Sequence, residues 1–431
     1  MQTQQPTSIK EINQFRILGL LRSYPGISRA EIVDRTGLGK ATISSLVARM
    51  IGDELVVEEG VGEQTATAER RPIKNKKRRN IKLKMNSLAR LAIGVELSGT
   101  DCVAALTDLY SNPLQIVRQS IPDNSVPASI SAISKSLETL LLEHDPSKLL
   151  GVGIGVPGPV DVARRRVLQA ENLGWFDVPF ADLAEAQLGV PTSVVKRQHA
   201  GALGEYWYGV GRGCQRLIYI SIGVGIGCGI ILEGELYSGA NGTAGEIGHI
   251  SVVPDGHRCR CGNFGCLETV ASTPAIVLRV KEKLRKGRST SIITWPGSSI
   301  DSITIDKVIV GAQEGDPVAV EAMQEAARYL GGAIATVVNL YNPSLIILGG
   351  KVVELGDLFL KPIREEVLRR SFSLSLADLE IVPSSLGEQA VPIGAATLVI
   401  DRLFRATNQG FLASDNFNSR SGEIRSATIA G

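Results

Sequence analysis

Residues 239–268 read GANGTAGEIGHISVVPDGHRCRCGNFGCLE and contain the most informative spacing in the chain. Three cysteines follow the pattern C-x-C-x4-C, with glycines that let the chain turn between them. A disulfide between cysteines two residues apart is strained, so three thiolates around a metal ion are the better interpretation. His249 precedes the first cysteine by ten residues, enough for a strand and its return, whereas His257 precedes it by only two. The predicted zinc ligands are His249, Cys259, Cys261 and Cys266. A reduced cysteine cluster without metal is the alternative.

The composition is that of a globular protein, with 44% apolar and 21% charged residues among 431. Six cysteines are too few for a disulfide scaffold, so we expect a cytoplasmic protein in a reducing environment. The longest apolar stretch, residues 217–232, is interrupted by four glycines. It predicts a strand, a glycine turn and a second strand, and we expect no association with a membrane.

Charge is divided unevenly along the chain, although the net charge is only +2. Residues 1–85 carry 16 lysines and arginines against 9 acidic residues, while the remainder is acidic on balance. A small basic unit attached to a larger acidic one indicates that the first 85 residues contact a polyanion.

Three short helices are predicted within residues 9–50. Apolar residues recur every third position from Ile9 to Leu21, and Ser28 with Glu31 forms a capping-box signature for a second helix that ends at Gly37. The third helix has apolar residues on one face and polar residues on the other, which is typical of a helix-turn-helix reading double-stranded DNA. The DNA contacts predicted here are Ser28, Lys40, Thr42, Ser44, Ser45 and Arg49.

A β-wing is predicted to follow the third helix. LVVEE at 55–59 is its first strand, and the return segment, residues 70–84, holds nine lysines and arginines without an acidic residue. Such a run alone is typical of a solvated linker, but behind a helix-turn-helix it favours contact with phosphates or the minor groove. The wing residues predicted to contact DNA are Arg70, Arg71, Lys76, Lys77, Arg78 and Arg79.

From residue 91 onward, short β-rich runs with glycine turns alternate with helices. LAIGVELSGTDCVAALTD and RLIYISIGVGIGCGIILEGEL predict hairpins, and LLGVGIGVPGPVD and PSLIILGGKVV predict strands that run into glycine loops. Similar arrangements near residues 94–100 and 221–230 predict a duplicated, two-lobed α/β unit with a cleft between its lobes.

The combined pattern GANGTAGEIGH and CRCGNFGCLE resembles the signature of the ROK family, which groups sugar-responsive repressors with sugar kinases. The likeness extends through NLGW, ALGE, NPSLIILGG and IGAA and covers roughly residues 90–400. It implies an α/β fold with an actin/hexokinase-like, ribonuclease-H-type pair of lobes behind the winged helix-turn-helix. We expect domains at 1–85 and 86–405, the second divided near residue 200, and a disordered tail at 406–431.

The resemblance also implies roles for individual residues. Zinc organises a loop, and Glu246 and Glu268 hydrogen-bond sugar hydroxyls. His249 ligates zinc through one ring nitrogen and offers the other to the sugar. Asn172 and the turn at Gly158 line the same pocket.

The chain departs from active ROK kinases at the catalytic base. Those kinases carry an Asn-Asp pair eight residues before the glutamate that is Glu205 here, and the aspartate removes the proton from the sugar hydroxyl. Lys196 and Arg197 occupy these positions, and an arginine stays protonated at any accessible pH. The kinases of the family also have two loops that bind phosphate. Residues 96–100 of this chain differ from the first of these loops, and Val224 stands where the second has a threonine. We therefore expect that the protein is not an enzyme.

Lys196 and Arg197 leave two interpretations of the ligand open. The two cations could bind an anionic sugar derivative, such as a sugar phosphate or sugar acid. Alternatively, Lys196 points to solvent and Arg197 forms an internal ion pair with Glu246 or Glu268.

The sequence as a whole predicts a transcriptional regulator, in the first place a repressor of carbohydrate genes, controlled by a sugar or an anionic sugar derivative. An operator with two-fold symmetry is bound by two DNA-binding units, so we expect a homodimer, or a tetramer built from two dimers. One alternative is an ATP-dependent sugar kinase with an accessory N-terminal domain. A zinc hydrolase is disfavoured because a Cys3His site has no open position for water.

Overall fold

The structure, a computed structural model, describes residues 9–59, 81–163, 165–295 and 299–401. It is the α/β fold expected, with a winged helix-turn-helix followed by two lobes that are each built on a five-stranded sheet. Within these ranges, no helix combines the length and the apolar character needed to cross a membrane. The tail expected at 406–431 lies outside the described residues.

The N-terminal unit contains three helices and a small antiparallel sheet. Its elements are α1 (Ile9–Ser23), β1 (Ile27–Ser28), α2 (Arg29–Thr36), α3 (Lys40–Gly52), β2 (Val56–Glu59) and β3 (Lys82–Met85). The predicted capping box is confirmed, because Ser28 Oγ accepts from the Glu31 backbone N–H at 3.3 Å and the Glu31 carboxylate accepts from Ser28 N–H at 2.8 Å. Strand β3 pairs antiparallel with both β1 and β2, which gives the wing. Residues 60–80, including the predicted DNA contacts between Arg70 and Arg79, lie outside the described residues.

The first lobe is built on a sheet with the strand order β11-β7-β4-β5-β6. Its elements are β4 (Leu91–Leu97), β5 (Asp101–Thr107), β6 (Pro113–Ser120), α4 (Val126–Leu140), β7 (Leu149–Val156), β8 (Val160–Asp161), β9 (Arg166–Ala170), β10 (Trp175–Val178), α5 (Phe180–Leu188), β11 (Thr192–Lys196) and α6 (Arg197–Tyr208). Strand β4 runs antiparallel to β5 and parallel to β7. Strands β8 to β10 form a separate three-stranded sheet.

The second lobe repeats this arrangement, with the strand order β14-β13-β12-β15-β16. Its elements are β12 (Arg216–Ile222), β13 (Ile226–Leu232), β14 (Glu235–Tyr237), α7 (Glu268–Ala271), α8 (Thr273–Arg285), α9 (Ile305–Gln313), α10 (Pro317–Tyr341), β15 (Leu345–Gly349), α11 (Asp357–Arg370), β16 (Glu380–Pro383) and α12 (Ala390–Asp401). Each sheet has an antiparallel meander of three strands followed by two parallel strands. The predicted duplication is therefore present.

The last helix, α12, follows the second lobe in sequence but packs on the sheet of the first. A Cβ atom built on Gly94 of β4 would lie 1.8 Å from the Pro392 carbonyl oxygen, and one on Gly153 of β7 would lie 2.1 Å from that of Ala395. Only glycine allows this approach, because any side chain would overlap the helix backbone. The division near residue 200 stays a prediction, but it does not describe the position of α12.

The N-terminal unit packs against helix α12. The α12 residues Val399 and Ile400 share one buried apolar cluster with Ile17 and Leu21 of α1 and with the apolar face of α3. The N-terminal unit is thus packed on the body of the protein through a common core.

Candidate functional site

Four predicted metal ligands meet in one cluster. The ligand atoms of His249, Cys259, Cys261 and Cys266 all lie within 4.8 Å of one another. The Cys259 sulfur is 3.7 Å from His249 Nδ1, and the Cys261 and Cys266 sulfurs are also 3.7 Å apart. These distances match the edges of a tetrahedron with metal–sulfur bonds of about 2.3 Å. The cluster could therefore hold a metal ion, and His257 is not part of it.

The chemistry of the donor set also fits a cation. All three cysteines are free, so the C-x-C-x4-C pattern does not form a disulfide. Without a cation, burial and, to a smaller extent, the neighbouring thiols raise the pKa of the Cys266 thiol to about 12. Gly265 has a φ of 67°, and a Cβ there would lie 1.7 Å from the Val253 carbonyl oxygen. The loop therefore needs glycine to bring the three sulfurs to one point.

A cleft of about 380 Å³ lies beside this cluster. It is bordered by the turn after β7, the end of β9, the start of α6, the turn between β12 and β13, and the metal-cluster loop. Its volume is within the range of small-molecule sites. All seven residues predicted to contact a ligand line it: Gly158, Asn172, Lys196, Arg197, Glu246, His249 and Glu268.

Lys196 is buried in the wall of this cleft and is paired with an acid. Its side chain is 2% exposed, and its ammonium lies 2.6 Å from Glu246 Oε1 and 3.0 Å from the Ala244 carbonyl oxygen. The expectation that Lys196 points to solvent is therefore wrong. The reason is that β11 ends at Lys196 under the loop that carries Glu246, so the side chain is enclosed.

Arg197 forms an ion pair, but with an acid that the sequence did not indicate. Its guanidinium Nη1 lies 3.6 Å from Glu96 Oε1 at the end of β4, so the expected pairing with Glu246 or Glu268 is wrong. Burial raises the pKa of Glu96, and the charge of Arg197 opposes that rise. Within the described residues, Arg197 Nε is buried without a hydrogen-bond partner.

Glu268 faces the cleft from the start of α7. Its Oε2 accepts from the Ile226 backbone N–H at 3.2 Å, and its Oε1 lies 3.6 Å from Arg260 Nη2. Arg260 also lines the cleft and was not predicted, although its place between two of the clustered cysteines could have indicated it. Gln198 was not predicted either; its buried Oε1 has no partner in the described part of the chain. Nothing in the sequence marks Gln198 beyond its position next to Arg197.

The polar face of α3 is exposed to solvent. Ile43, Leu46, Val47 and Met50 are buried. The predicted DNA contacts Lys40, Thr42, Ser44, Ser45 and Arg49 are all exposed. Ser28 differs, because it is 3% exposed and its hydroxyl donates to the Glu31 carboxylate at 2.7 Å. This predicted DNA contact therefore has no free hydroxyl to offer.

Comparison with known proteins agrees with this architecture. Residues 92–402 match the ROK family, and residues 10–64 match the MarR family. The chain belongs to the ROK family. A xylose repressor of Caldicellulosiruptor bescii is 32% identical to this ROK protein over 91% of this chain and 96% of the repressor. A ROK family transcriptional regulator, described as a homologue of the Escherichia coli MLC protein, has a similar structure with a TM-score of 0.78 and 30% identity, over 92% of this chain and 97% of that one.

Kinases of the ROK family are also similar to this chain, but only behind its N-terminal unit. A glucokinase of Streptomyces coelicolor is 35% identical over 72% of this chain and 97% of the enzyme. The repressor and the regulator, in contrast, match the N-terminal unit and the ROK domain together. This ROK protein therefore has the layout of the family's DNA-binding regulators.

Proposed function

We propose that this ROK protein is a transcriptional repressor of sugar uptake or catabolic genes, and that a neutral monosaccharide in the cleft controls its affinity for operator DNA. The observation that carries the proposal is the exposed polar face of α3 in a chain whose cleft has an arginine where the family's kinases have their base. The relatives that match the chain over its length are named repressors or regulators.

Loss of phosphoryl transfer is part of this proposal. A protonated guanidinium paired with Glu96 cannot remove a proton from a sugar hydroxyl. We expect no ATP turnover above background with glucose, xylose or N-acetylglucosamine. Turnover that disappears in Glu268→Ala would identify a sugar kinase instead and would contradict the proposal.

The choice of a neutral effector rests on charge compensation. Lys196 is paired with Glu246, Arg197 with Glu96, and Arg260 lies near Glu268, so each cation at the cleft has an acid beside it. An anionic ligand would have to displace one of these carboxylates. Calorimetry with xylose, glucose, glucuronate and glucose 6-phosphate tests this. We expect the neutral sugars to bind at least tenfold more tightly, and preferred binding of an acid or a phosphate would refute a neutral effector.

We further propose that the metal ion is zinc and that its role is structural. His249, Cys259, Cys261 and Cys266 would hold it with four protein ligands, and the ion would fix the loop that carries Glu246 beside the cleft. Metal analysis of the purified protein should find one zinc per chain. His249→Ala should lose it, whereas the control variant His257→Ala should retain it.

Operator binding as a homodimer completes the proposal. Two α3 helices related by a two-fold axis would read the two halves of a palindromic site. Selection of DNA from a random duplex pool should yield inverted repeats, and sedimentation of the complex should give two chains, or four, per operator. Enrichment of single half-sites bound by one chain would contradict this arrangement.

A further inference from the structure

One helix joins the effector cleft to the DNA-binding unit. Helix α6 spans 12 residues, about 18 Å at 1.5 Å per residue. Lys196, Arg197 and Gln198 at its start line the cleft. Trp207 and Tyr208 at its end contact Arg22 on α1 of the N-terminal unit.

Arg22 contacts side chains from the body of the protein. Its Nη1 lies 2.7 Å from Asp401 Oδ1 at the end of α12, and its Nη2 donates to the Tyr208 hydroxyl at 2.5 Å. Its guanidinium also lies 4.5 Å from the centroid of the Trp207 ring, within cation–π distance. The Arg22 and Asp401 side chains are 10% and 9% exposed, so water screens their attraction poorly.

The cleft end of α6 is tied to the sugar-contacting loop. Lys196 holds Glu246 and the Ala244 carbonyl oxygen, and His199 Nε2 lies 3.4 Å from the same oxygen. A sugar hydroxyl that donates to Glu246 would share that carboxylate with Lys196 and would so alter the Lys196–Glu246 ion pair. Effector binding therefore acts on the residues at the start of α6.

Between its two ends, α6 is packed against α12 with the two backbones in direct contact. A Cβ on Gly204 would lie 2.2 Å from the Ala390 carbonyl oxygen, and one on Gly394 would lie 1.8 Å from that of Ala200. Backbone-to-backbone contact of this kind leaves no side chains that could absorb a displacement. A shift at the cleft end would thus reach Tyr208 and Asp401 together.

We infer that the cluster of Arg22, Trp207, Tyr208 and Asp401 is the contact through which effector occupancy changes the position of the DNA-reading helix. The inference rests on the proposed function and names how its site is regulated. Arg22 is a positioning residue, because it does not line the sugar cleft. α1 passes the change to α3 through their shared apolar core. In thermodynamic terms, the cluster carries part of the coupling free energy between sugar and operator.

The test measures that coupling in the full-length protein. Fluorescence anisotropy gives the Kd for a selected operator duplex with and without D-xylose, and calorimetry gives the Kd for D-xylose. Arg22→Met keeps the aliphatic stem but removes the charge, and Tyr208→Phe removes only one hydroxyl. Arg216→Met is the matched control, because Arg216 pairs with Glu233 on the second lobe, away from α1.

We expect Arg22→Met and Tyr208→Phe to bind D-xylose within twofold of the wild-type Kd. The change in operator Kd that the sugar causes should fall to less than a third of the wild-type change, while Arg216→Met keeps it in full. A full wild-type response in both Arg22→Met and Tyr208→Phe would overturn the inference and leave the proposed function intact. Loss of D-xylose binding in Tyr208→Phe would also overturn it, since the cluster would then support the cleft itself. A wild-type protein that ignores operator DNA and sugars would refute the proposed function and, with it, the inference.

Discussion

Lys196 and Arg197 are neighbours in sequence, but their side chains differ in how many of their hydrogen-bond donors have a partner. The Lys196 ammonium has two close acceptors, whereas the Arg197 guanidinium has one acid at 3.6 Å and a buried Nε without a partner in the described residues. An unpaired buried donor costs about 1–3 kcal/mol. A ligand oxygen that accepts from Arg197 would recover this free energy. Arg197 is therefore a cation in the cleft with unused hydrogen-bonding capacity for a sugar oxygen.

His199 makes the stability of the protein depend on pH. Burial and, to a smaller extent, the nearby Lys196 ammonium lower its pKa to about 4, and the hydrogen bond to Ala244 opposes both effects. The folded protein keeps His199 neutral, while the unfolded chain binds a proton below pH 6.5. Stability contributed by the neutral ring is complete above pH 6.5 and is lost as the pH falls towards 4, by up to about 3 kcal/mol.

We expect the free energy of unfolding of the wild type to fall more steeply between pH 7 and pH 5 than that of His199→Gln. Urea unfolding at several pH values measures both slopes. His144, which is half-buried outside the cleft, gives the control variant His144→Gln, and this variant should keep the wild-type slope. Parallel slopes for all three proteins would contradict the assignment to His199.

Helix α12 illustrates why close packing of elements depends on glycine at defined positions. We expect Gly94→Ala to destabilise the protein by about 3 kcal/mol or more, since the new methyl group would overlap the Pro392 carbonyl oxygen. Gly99→Ala is the matched control, because the nearest atom to a Cβ there is 3.6 Å away. Thermal unfolding of both variants measures the difference. Equal Tm values for the two variants would show that α12 can move away from β4 at little cost.

The metal-cluster loop is expected to lose its order when the ion is removed. A chelator should lower the Tm and weaken sugar binding together, because Glu246 and Glu268 flank the loop that the ion holds. Operator binding without sugar should change less, since α3 lies in a separate apolar cluster. Readdition of zinc should restore both properties. Unchanged sugar affinity in the metal-free protein would contradict a structural role beside the cleft.

Local patterns in the sequence predicted local structure well, and distant pairings not at all. The glutamate of the capping box follows Ser28 by three residues, and the four predicted metal ligands lie within 18 residues, so spacing alone defined both groups. The partners of Arg197 and Arg22 are 101 and 379 residues away. Such pairs form only when distant elements pack together, and the spacing of residues along the sequence does not predict that packing. The position of α12 was missed for the same reason.

The proposed DNA-binding helix and the proposed sugar cleft lie in separate units, so we expect that DNA binding and sugar binding can be changed independently. Helix α3 begins after Gly39, which has no side chain with which to cap the free N–H groups of the first turn. Lys40 is exposed beside them, so this end of α3 is suited to a DNA phosphate.

We expect Lys40→Ala to weaken operator binding and to reduce the slope of log K against log salt by about one, as loss of one phosphate contact does. Its affinity for sugar should stay that of the wild type, because Lys40 is remote from the cleft residues. Lys135→Ala removes an equally exposed lysine from α4 and should change neither property. Anisotropy titrations at several salt concentrations measure the slopes. A wild-type slope in Lys40→Ala would place the phosphate contacts elsewhere on the N-terminal unit.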